Sequence, residues 1–295
     1  MVIDGGLGSE LEARGHRIGG ALWSAELLLK DPGKIRAIHE DYLEAGARCI
    51  ETASYQLSAE GLRAAGLGEE AIAGVFELAV RIAREAVDGF RARTGDDDEI
   101  AVAASLGPYG AATAGGSEYS GRYIDPAILY AFHAERIRTV LATAPDVFFC
   151  ETIPSKNEAL VVANALRDLD AGPAWISFSC ADGERTHAGD PIEECAAALE
   201  AFSGVAAVGI NCTPPGEIAS LLRRLRGATR KPLLACPNLG QTWDAAARKW
   251  FGGTHEDHFL SLVPQWLEAG ATHIGGCCGI RPSTIAGIAR IVAAD

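Results

Sequence analysis

Short apolar runs alternate with longer amphipathic segments along the whole chain. The runs are rich in β-branched and small residues, which is typical of buried strands, and turn residues separate them from the longer segments. The longer segments place apolar residues three and four positions apart, which predicts helices. The eight predicted strands are residues 2–4, 48–54, 100–106, 147–151, 174–180, 206–212, 232–236 and 272–276.

Eight strand–helix repeats in a chain of 295 residues predict an α/β fold, a single (β/α)8 TIM barrel that spans residues 1–295. No stretch rich in proline, serine or charge interrupts the series as an interdomain linker would. An open doubly wound sheet is the main alternative. That fold normally carries a glycine-rich phosphate-binding turn after its first strand, and residues 4–15, DGGLGSELEARG, lack the G-x-G-x-x-G spacing.

The connections between these elements predict one functional face. Segments that lead from helix to strand are short, whereas several that lead from strand to helix are long. The long ones are residues 107–126, 181–191 and 237–256. Because long loops in compact domains are usually functional, and active sites of TIM barrels lie at the carboxyl ends of the strands, we expect the site there. Residues 107–126 are the candidate lid.

Composition narrows the possible partners. The chain is 48% hydrophobic and 22% charged, and its formal net charge of −13 disfavours binding to nucleic acid. No apolar run approaches the ~18 residues of a membrane span, and the N-terminus lacks the pattern of a secretory signal. We therefore expect a cytoplasmic protein with neither nucleic acid nor a membrane as partner. The oligomeric state is left open.

Three of the eight cysteines are placed to converge. Cys212 ends the sixth predicted strand, and Cys277 and Cys278 follow the eighth within the sequence HIGGCCGI. All three would lie at the functional face, on strands that are near neighbours around the ring. Three thiolates suit a Zn²⁺ ion with a fourth position left open, as in catalytic zinc sites. The flanking glycines would permit the backbone angles and close packing that two consecutive ligands require.

Other interpretations of these cysteines stay open. The sequence GGCCG could be a tight turn of small residues, because free cysteine is among the most buried residue types. A disulfide between the adjacent Cys277 and Cys278 is disfavoured by its strained geometry. Five further cysteines are interpreted as packing residues: Cys49, Cys150, Cys180, Cys195 and Cys236.

Acidic residues also occur at strand ends. Asp4 closes the first predicted strand and Glu151 the fourth, while Glu51 lies in the second. Asp4 and Glu151 would face the site, where the ammonium group of an amino acid would give both a common role. Helix capping or pairing with arginine is the alternative. His255 and His258 have an i, i+3 spacing that is more typical of a solvated or capping pair than of a metal site.

These residues lie in stretches that resemble a known family. The stretches run in order from residue 4 to about residue 285: DGGLGSELEARG, LWSAELL, ETASYQ, SLGPYGA, GSEYSGRY, CETIPS, GINC, PNLG and GGCCG. The chain is similar to the homocysteine S-methyltransferases, and most to those that use S-methylmethionine. The resemblance implies a (β/α)8 barrel in which Cys212, Cys277 and Cys278 hold a catalytic zinc ion. It implies that Asp4 and Glu151 bind homocysteine.

The implied reaction moves the methyl group of a sulfonium donor, S-methylmethionine or S-adenosylmethionine, to the thiol of homocysteine and forms methionine. Only the thiolate attacks carbon efficiently, and zinc coordination deprotonates a thiol at neutral pH. Because the departing thioether is neutral, no general acid is needed. Tyr109, Tyr119 or Tyr123 of the candidate lid could contact the cationic donor, or could pack the loop onto the barrel.

The donor and the acceptor both have alternatives. Residues 237–241 read PNLGQ where S-methylmethionine-dependent relatives commonly read Pro-Asn-Ser-Gly-Glu, so Leu239 and Gln241 leave the donor undecided. The acceptor could be another thiol or a selenol, such as selenocysteine. A zinc-binding barrel without turnover is the remaining alternative. Asp4 and Glu151 argue against it, because a metal buffer has no use for an ammonium pocket.

Overall fold

The computed structural model describes residues 1–16, 24–112, 119–121, 125–244 and 249–294. Its strands are β1 (Cys49–Glu51), β2 (Ala101–Leu106), β3 (Val147–Ile153), β4 (Ala174–Phe178), β5 (Val205–Asn211), β6 (Leu233–Cys236), β7 (Gln241–Asp244), β8 (Lys249–Gly252) and β9 (Ala271–Ile274). Seven of them form one parallel sheet in the order β1-β2-β3-β4-β5-β6-β9. Strands β7 and β8 form a separate antiparallel pair.

Helices occupy most of the connections between the parallel strands. They are α1 (Leu7–Ala13), α2 (Ser24–Lys30), α3 (Pro32–Glu44), α4 (Ala59–Ala64), α5 (Glu69–Thr94), α6 (Tyr109–Ala112), α7 (Pro126–Leu141), α8 (Lys156–Asp168), α9 (Ile192–Leu199), α10 (Ile218–Ala228), α11 (Glu256–Glu268) and α12 (Pro282–Ala294). None of the helices in the described part of the chain is both long and apolar enough to cross a bilayer.

The segment predicted as a strand at residues 2–4 forms two isolated β-bridges. Val2 bridges Ile274 of β9, and Ile3 bridges Cys49 of β1, both in parallel orientation. The Ile3 amide donates to the Ile274 carbonyl at 2.8 Å, and the Asp4 amide donates to the Cys49 carbonyl at 3.1 Å. Only this short segment therefore joins the two edges of the sheet. The prediction of a parallel α/β fold is confirmed, with seven of the eight predicted strands in the sheet.

Both faces of the sheet are buried, as expected for parallel strands joined by helices. One face packs against the helices in a large apolar core. Side chains on the other face form a second, smaller cluster: Ile3, Cys49, Ala103, Val147, Phe149, Trp175, Ala207, Leu234 and Cys236. Because Ile3 belongs to this inner cluster, residues 2–4 are packed with the seven strands although they pair by isolated bridges.

Local sequence signals begin the helices that follow the site-bearing strands. Ser155 caps α8, since its hydroxyl accepts a hydrogen bond from the Glu158 amide at 3.2 Å. Asp125 caps α7 by accepting from the Ala127 amide at 2.8 Å, and Pro126 occupies the first helical turn. These caps determine where α7 and α8 begin, and so where the loops that precede them end.

Two of the predicted long loops contain regular structure. The segment 237–256 includes the β7–β8 pair, and the segment 107–126 begins with α6. The rest of the candidate lid, including Tyr123, lies largely outside the described residues. Its predicted closure over a substrate therefore stays a prediction.

Candidate metal and substrate site

Strand ends bring the three predicted cysteines together. Cys212 directly follows β5, whereas Cys277 and Cys278 follow β9 after two glycines. Their sulfur atoms all lie within 4.8 Å of one another. The Sγ–Sγ distance is 3.8 Å between Cys212 and Cys278 and 3.9 Å between Cys277 and Cys278. All three are free thiols, and the set could hold a metal ion.

Close packing of the backbone explains the glycines beside these thiols. A Cβ atom on Gly276 would lie 2.2 Å from Cγ2 of Ile280, and one on Gly275 would lie 2.7 Å from Cβ of Ile3. Gly279 has a φ of +84°, in the left-handed region that favours glycine. A side chain at Gly275 or Gly276 would therefore force its neighbours to shift, and the three glycines permit the close packing around the two adjacent cysteines.

Hydrogen bonds among the three thiols shift their pKa values in opposite directions. Contacts from Cys277 and Cys278 lower the pKa of Cys212 well below its usual value. The Tyr119 hydroxyl, 3.2 Å from the Cys212 sulfur, acts in the same direction. Contact with Cys212 in turn raises the pKa values of Cys277 and Cys278. Close contact among the three thiols therefore favours ionisation of Cys212 and disfavours ionisation of the other two.

The two carboxyl groups proposed from the sequence, those of Asp4 and Glu151, are both buried. Asp4 is 2% exposed and Glu151 is 6% exposed. Oδ2 of Asp4 accepts from the Glu51 amide at 3.1 Å, while Oδ1 is buried with no hydrogen-bond partner among the described residues. The Ser105 hydroxyl donates to Oε1 of Glu151, and Nδ2 of Asn211 donates to Oε2 at 3.1 Å.

Glu51 joins these two acids, although sequence reasoning assigned it no role. Its side chain lies within hydrogen-bonding reach of Glu151, and it interacts electrostatically with Asp4. The available signal was its position, because Glu51 ends β1 just as the other two acids lie at strand ends. Three carboxyl groups, two of them buried and that of Glu51 half-buried, therefore meet in one cluster, which we call the acid cluster (Asp4, Glu51 and Glu151).

Burial makes ionisation of the acid cluster unfavourable. It raises the pKa values of Asp4 and Glu51 well above their usual range, and repulsion from Glu151 adds to the effect. Burial also raises the pKa of Glu151 to about 7, although hydrogen bonds from Ser105 and Glu51 oppose the shift. A bound cation would favour the ionised forms, so the cluster is suited to receive an ammonium group.

The remaining candidates lie in different surroundings, and the Tyr119 hydroxyl contacts the Cys212 sulfur. The Tyr119 ring lies 4.8 Å from the His187 ring, centroid to centroid, whereas the Tyr109 ring packs edge-to-face on Phe132 at 5.0 Å. Leu239 is half-buried against the main core. The side chain of Gln241 and all of Tyr123 lie outside the part of the chain that the structure describes.

The two histidines with i, i+3 spacing lie at the start of a helix. His255 is the N-cap residue of α11, and His258 is exposed in its first turn. Within the described residues, the group of side chains that could hold a metal ion consists of cysteines alone. The fold and site together define a parallel α/β protein in which three thiols that could hold a metal ion lie near buried acids.

Comparison with known proteins identifies the family. The family model described as homocysteine S-methyltransferase matches residues 1–292. Homocysteine S-methyltransferase 4 of Zea mays is 43% identical over 303 residues, covering 99% of this chain and 89% of that protein. The selenocysteine methyltransferase of Astragalus bisulcatus is 41% identical over 310 residues, covering 99% of this chain and 92% of that protein.

A solved structure has the same fold. The metallated form of the homocysteine methyltransferase MmuM from Escherichia coli is 36% identical, with a TM-score of 0.89 over 99% of this chain and 96% of that chain. This chain belongs to the homocysteine S-methyltransferase family. The resemblance found in the sequence is confirmed, and the protein is a methyltransferase.

Proposed function

We propose that this enzyme transfers a methyl group from a sulfonium donor, S-methylmethionine or S-adenosylmethionine, to the sulfur of homocysteine and forms methionine. One observation carries the proposal: three thiols suited to a metal and a buried acid cluster lie at the same end of the sheet. A thiol-bearing amino acid presents both a sulfur for the metal and an ammonium group for the acids. Membership of the family supports methyl transfer to homocysteine.

The thiol geometry fits zinc. Zn–S bonds of about 2.3 Å in a tetrahedron place the sulfurs about 3.8 Å apart. Two of the three Sγ–Sγ pairs are separated by 3.8 and 3.9 Å. We therefore propose that Cys212, Cys277 and Cys278 hold zinc and leave the fourth position to the substrate sulfur. Bound zinc would lower the pKa of the homocysteine thiol. An ordinary cysteine thiol has a pKa of about 8.5.

The acid cluster would hold the other end of the substrate. Asp4 and Glu151 are the proposed ammonium ligands, and the unpartnered Oδ1 of Asp4 can accept a hydrogen bond from that group. The new bond joins the homocysteine sulfur to the methyl carbon as the bond from carbon to the donor sulfur breaks. Since the donor leaves as a neutral thioether, the protein must align the three reacting atoms but need not supply an acid.

We further propose that residues 2–4 complete an eight-stranded (β/α)8 barrel and that residues 1–295 form one domain. The bridges of Val2 and Ile3 to opposite edges of the sheet support closure. A reducing compartment such as the cytoplasm would keep the three site thiols free. The expected partners are homocysteine and the methyl donor.

A selenol is the second candidate acceptor. The 41% identity to the selenocysteine methyltransferase of Astragalus bisulcatus favours this acceptor. A metal held by thiolates would also activate a selenol as it does a thiol. Selenocysteine is one methylene shorter than homocysteine, and one methylene is worth only about 1–3 kcal/mol of discrimination. Direct competition between the two acceptors therefore decides between them.

The decisive experiment uses reduced, zinc-loaded enzyme with homocysteine and either S-methylmethionine or S-adenosylmethionine, and quantifies methionine. Cys278→Ala should abolish product. The matched control is Cys195→Ala, which removes a buried thiol from α9 outside the metal-binding set. The faster donor answers the question raised by Leu239 and Gln241.

Two results would contradict the proposal. If zinc binds with one-to-one stoichiometry and neither donor yields methionine, homocysteine methylation by these donors is wrong, and selenocysteine is tested next. If Cys278→Ala retains the activity of Cys195→Ala, the three-thiol centre is not the site of reaction.

A further inference from the structure

One proposed metal ligand and the residue after a proposed ammonium ligand have an unusual backbone conformation. Thr152 follows Glu151 and has a φ of +61°, and Cys212 has a φ of +48°. Both values lie in the left-handed region, which side chains other than glycine rarely adopt and β-branched residues adopt least. Neither residue is glycine, so tertiary interactions must hold both in place. Asn211 contacts or adjoins both of them.

The Asn211 side chain uses its full hydrogen-bonding capacity. Asn211 is the last residue of β5 and is 1% exposed. Its Oδ1 accepts from the Thr152 amide and from the Ser177 hydroxyl, each at 2.7 Å. Its Nδ2 donates to Oγ1 of Thr152 at 2.8 Å and to Oε2 of Glu151 at 3.1 Å. An amide has two acceptor and two donor positions, and all four are occupied.

This pattern determines which way the amide faces. Rotating it by half a turn would point an N–H group at the Thr152 amide, which is itself a donor, and the carbonyl oxygen at Glu151. The left-handed turn at Thr152 therefore depends on an acceptor at Oδ1, and the orientation of Glu151 depends on a donor at Nδ2. An asparagine at this position supplies both from one side chain.

The main chain around Asn211 is also fixed by hydrogen bonds. Its carbonyl accepts from Oγ1 of Thr213 at 3.0 Å, and the same Oγ1 accepts from the Cys180 amide at 3.0 Å. The next amide, that of Cys212, donates to the Cys236 carbonyl at 3.1 Å. The peptide that carries the Cys212 ligand is thus held on one side by the segment after β4, through the Thr213 hydroxyl, and on the other side by β6.

We propose that Asn211 is a positioning residue that couples the ammonium-binding acid Glu151 to the metal ligand Cys212, and so sets the distance between the two anchors of the amino-acid substrate. The inference rests on the proposed function, because it assumes that these residues hold the two ends of homocysteine. It adds that acceptor length is selected through Asn211, which itself contacts neither the metal nor the reacting atoms.

The test compares Asn211→Ala with Ser177→Ala. The first change leaves Glu151 Oε2, the Thr152 amide and the Ser177 hydroxyl without their partner. The second removes one hydrogen bond to the same amide oxygen and leaves both donor contacts intact. Each variant is measured as zinc-loaded enzyme for its homocysteine Kd by calorimetry, for kcat and KM, and for its rate ratio between homocysteine and cysteine. Zinc Kd is measured separately by competition with a chromophoric chelator.

We expect Asn211→Ala to raise the homocysteine Kd roughly tenfold to a hundredfold, as loss of a hydrogen bond to a charged group does. Its zinc Kd should rise as well, and its preference for homocysteine over cysteine should fall. Ser177→Ala should stay within about threefold of wild type in all of these. If Asn211→Ala is poorly folded, Asn211→Asp has nearly the same shape, keeps the acceptor and removes both donors. It should weaken homocysteine binding at least as much.

Equal effects of Asn211→Ala and Ser177→Ala would overturn the inference, because a general structural role would explain them. So would an Asn211→Asp variant that binds homocysteine within about threefold of wild type. In both cases wild-type activity would leave the proposed function standing. If zinc-loaded wild type does not bind homocysteine at all, the proposed function fails, and the coupling fails with it.

Discussion

The ionisation of Glu151 predicts an unusual pH dependence of stability. Its pKa is raised by burial to about 7 from an ordinary value of 4.5. Below about pH 4.5 the carboxyl is protonated in both the folded and the unfolded chain, so it has no effect. Between pH 4.5 and 7 the folded state keeps the proton and the unfolded state loses it. Stability therefore falls as pH rises through this window and is constant above it.

The size of the effect comes from the shift. A change from 4.5 to about 7 corresponds to about 3 kcal/mol of unfolding free energy lost between pH 4.5 and 7.5. Groups that face Glu151 modify this figure. Hydrogen bonds from Ser105 and Glu51 stabilise its negative charge, the Cys212 thiolate repels that charge, and the buried Arg136 guanidinium attracts it.

The assay is urea denaturation of reduced, metal-free protein at pH 5 and pH 8, for wild type and Glu151→Gln. The amide does not titrate, so the variant should lose about 2.5 kcal/mol less between the two pH values than wild type loses. Taking the difference between pH values removes the constant cost of altered hydrogen bonds to Ser105 and Asn211.

Glu10 provides a control of opposite sign. It is 3% exposed, but hydrogen bonds from Arg281 and Arg14 outweigh its burial and lower its pKa. A lowered pKa stabilises the fold above the ordinary value of 4.5 and loses that contribution as the pH falls below it. Glu10→Gln should therefore leave the change between pH 5 and pH 8 close to that of wild type. If Glu151→Gln behaves in the same way, our account of the acid cluster is wrong.

Three further changes test other parts of the structure. Gly276→Ala should weaken zinc binding at least tenfold in a chelator competition, because its Cβ would lie 2.2 Å from Ile280; Gly216→Ala, with open space around it, should not. Arg136→Met should lower the free energy of unfolding by about 3 kcal/mol in urea, since the buried guanidinium donates to two loop carbonyls at 2.7 and 2.8 Å. Arg138→Met, exposed on the same helix, should change it by less than about 0.5 kcal/mol, and equal losses would refute the role of Arg136. Removal of zinc by a chelator should abolish homocysteine binding in calorimetry, and unchanged binding would show that the thiols do not hold the substrate sulfur.

Sequence periodicity predicted the elements well where burial alone decides them. Strands such as β2 and β3 are apolar runs buried on both faces, and their positions were predicted within about two residues. The segment at residues 2–4 was harder, because pairing depends on neighbours at distant positions in the chain. The β7–β8 pair was missed, since its residues lie in a stretch whose glycines and polar residues are typical of a loop.

The site shows the same division. Cys212, Cys277 and Cys278 could be proposed as one group because each lies at or just after the end of a predicted strand, and parallel strands end at a common edge. Glu51 was seen in a strand, but its contact with Glu151 depends on the direction of two side chains across the sheet. No local pattern reports that direction.

The sequence by itself determined the family, the parallel α/β class and the residues that offer thiols and carboxylates to the site. The tertiary structure decided how those residues act together: the 3.8 Å approach of two thiols from different strands, and the four hydrogen bonds of Asn211. The physical reason is that hydrophobic periodicity records which positions are buried. Contacts between residues about 60 positions apart depend instead on strand register and backbone conformation, which form only when the whole sheet assembles.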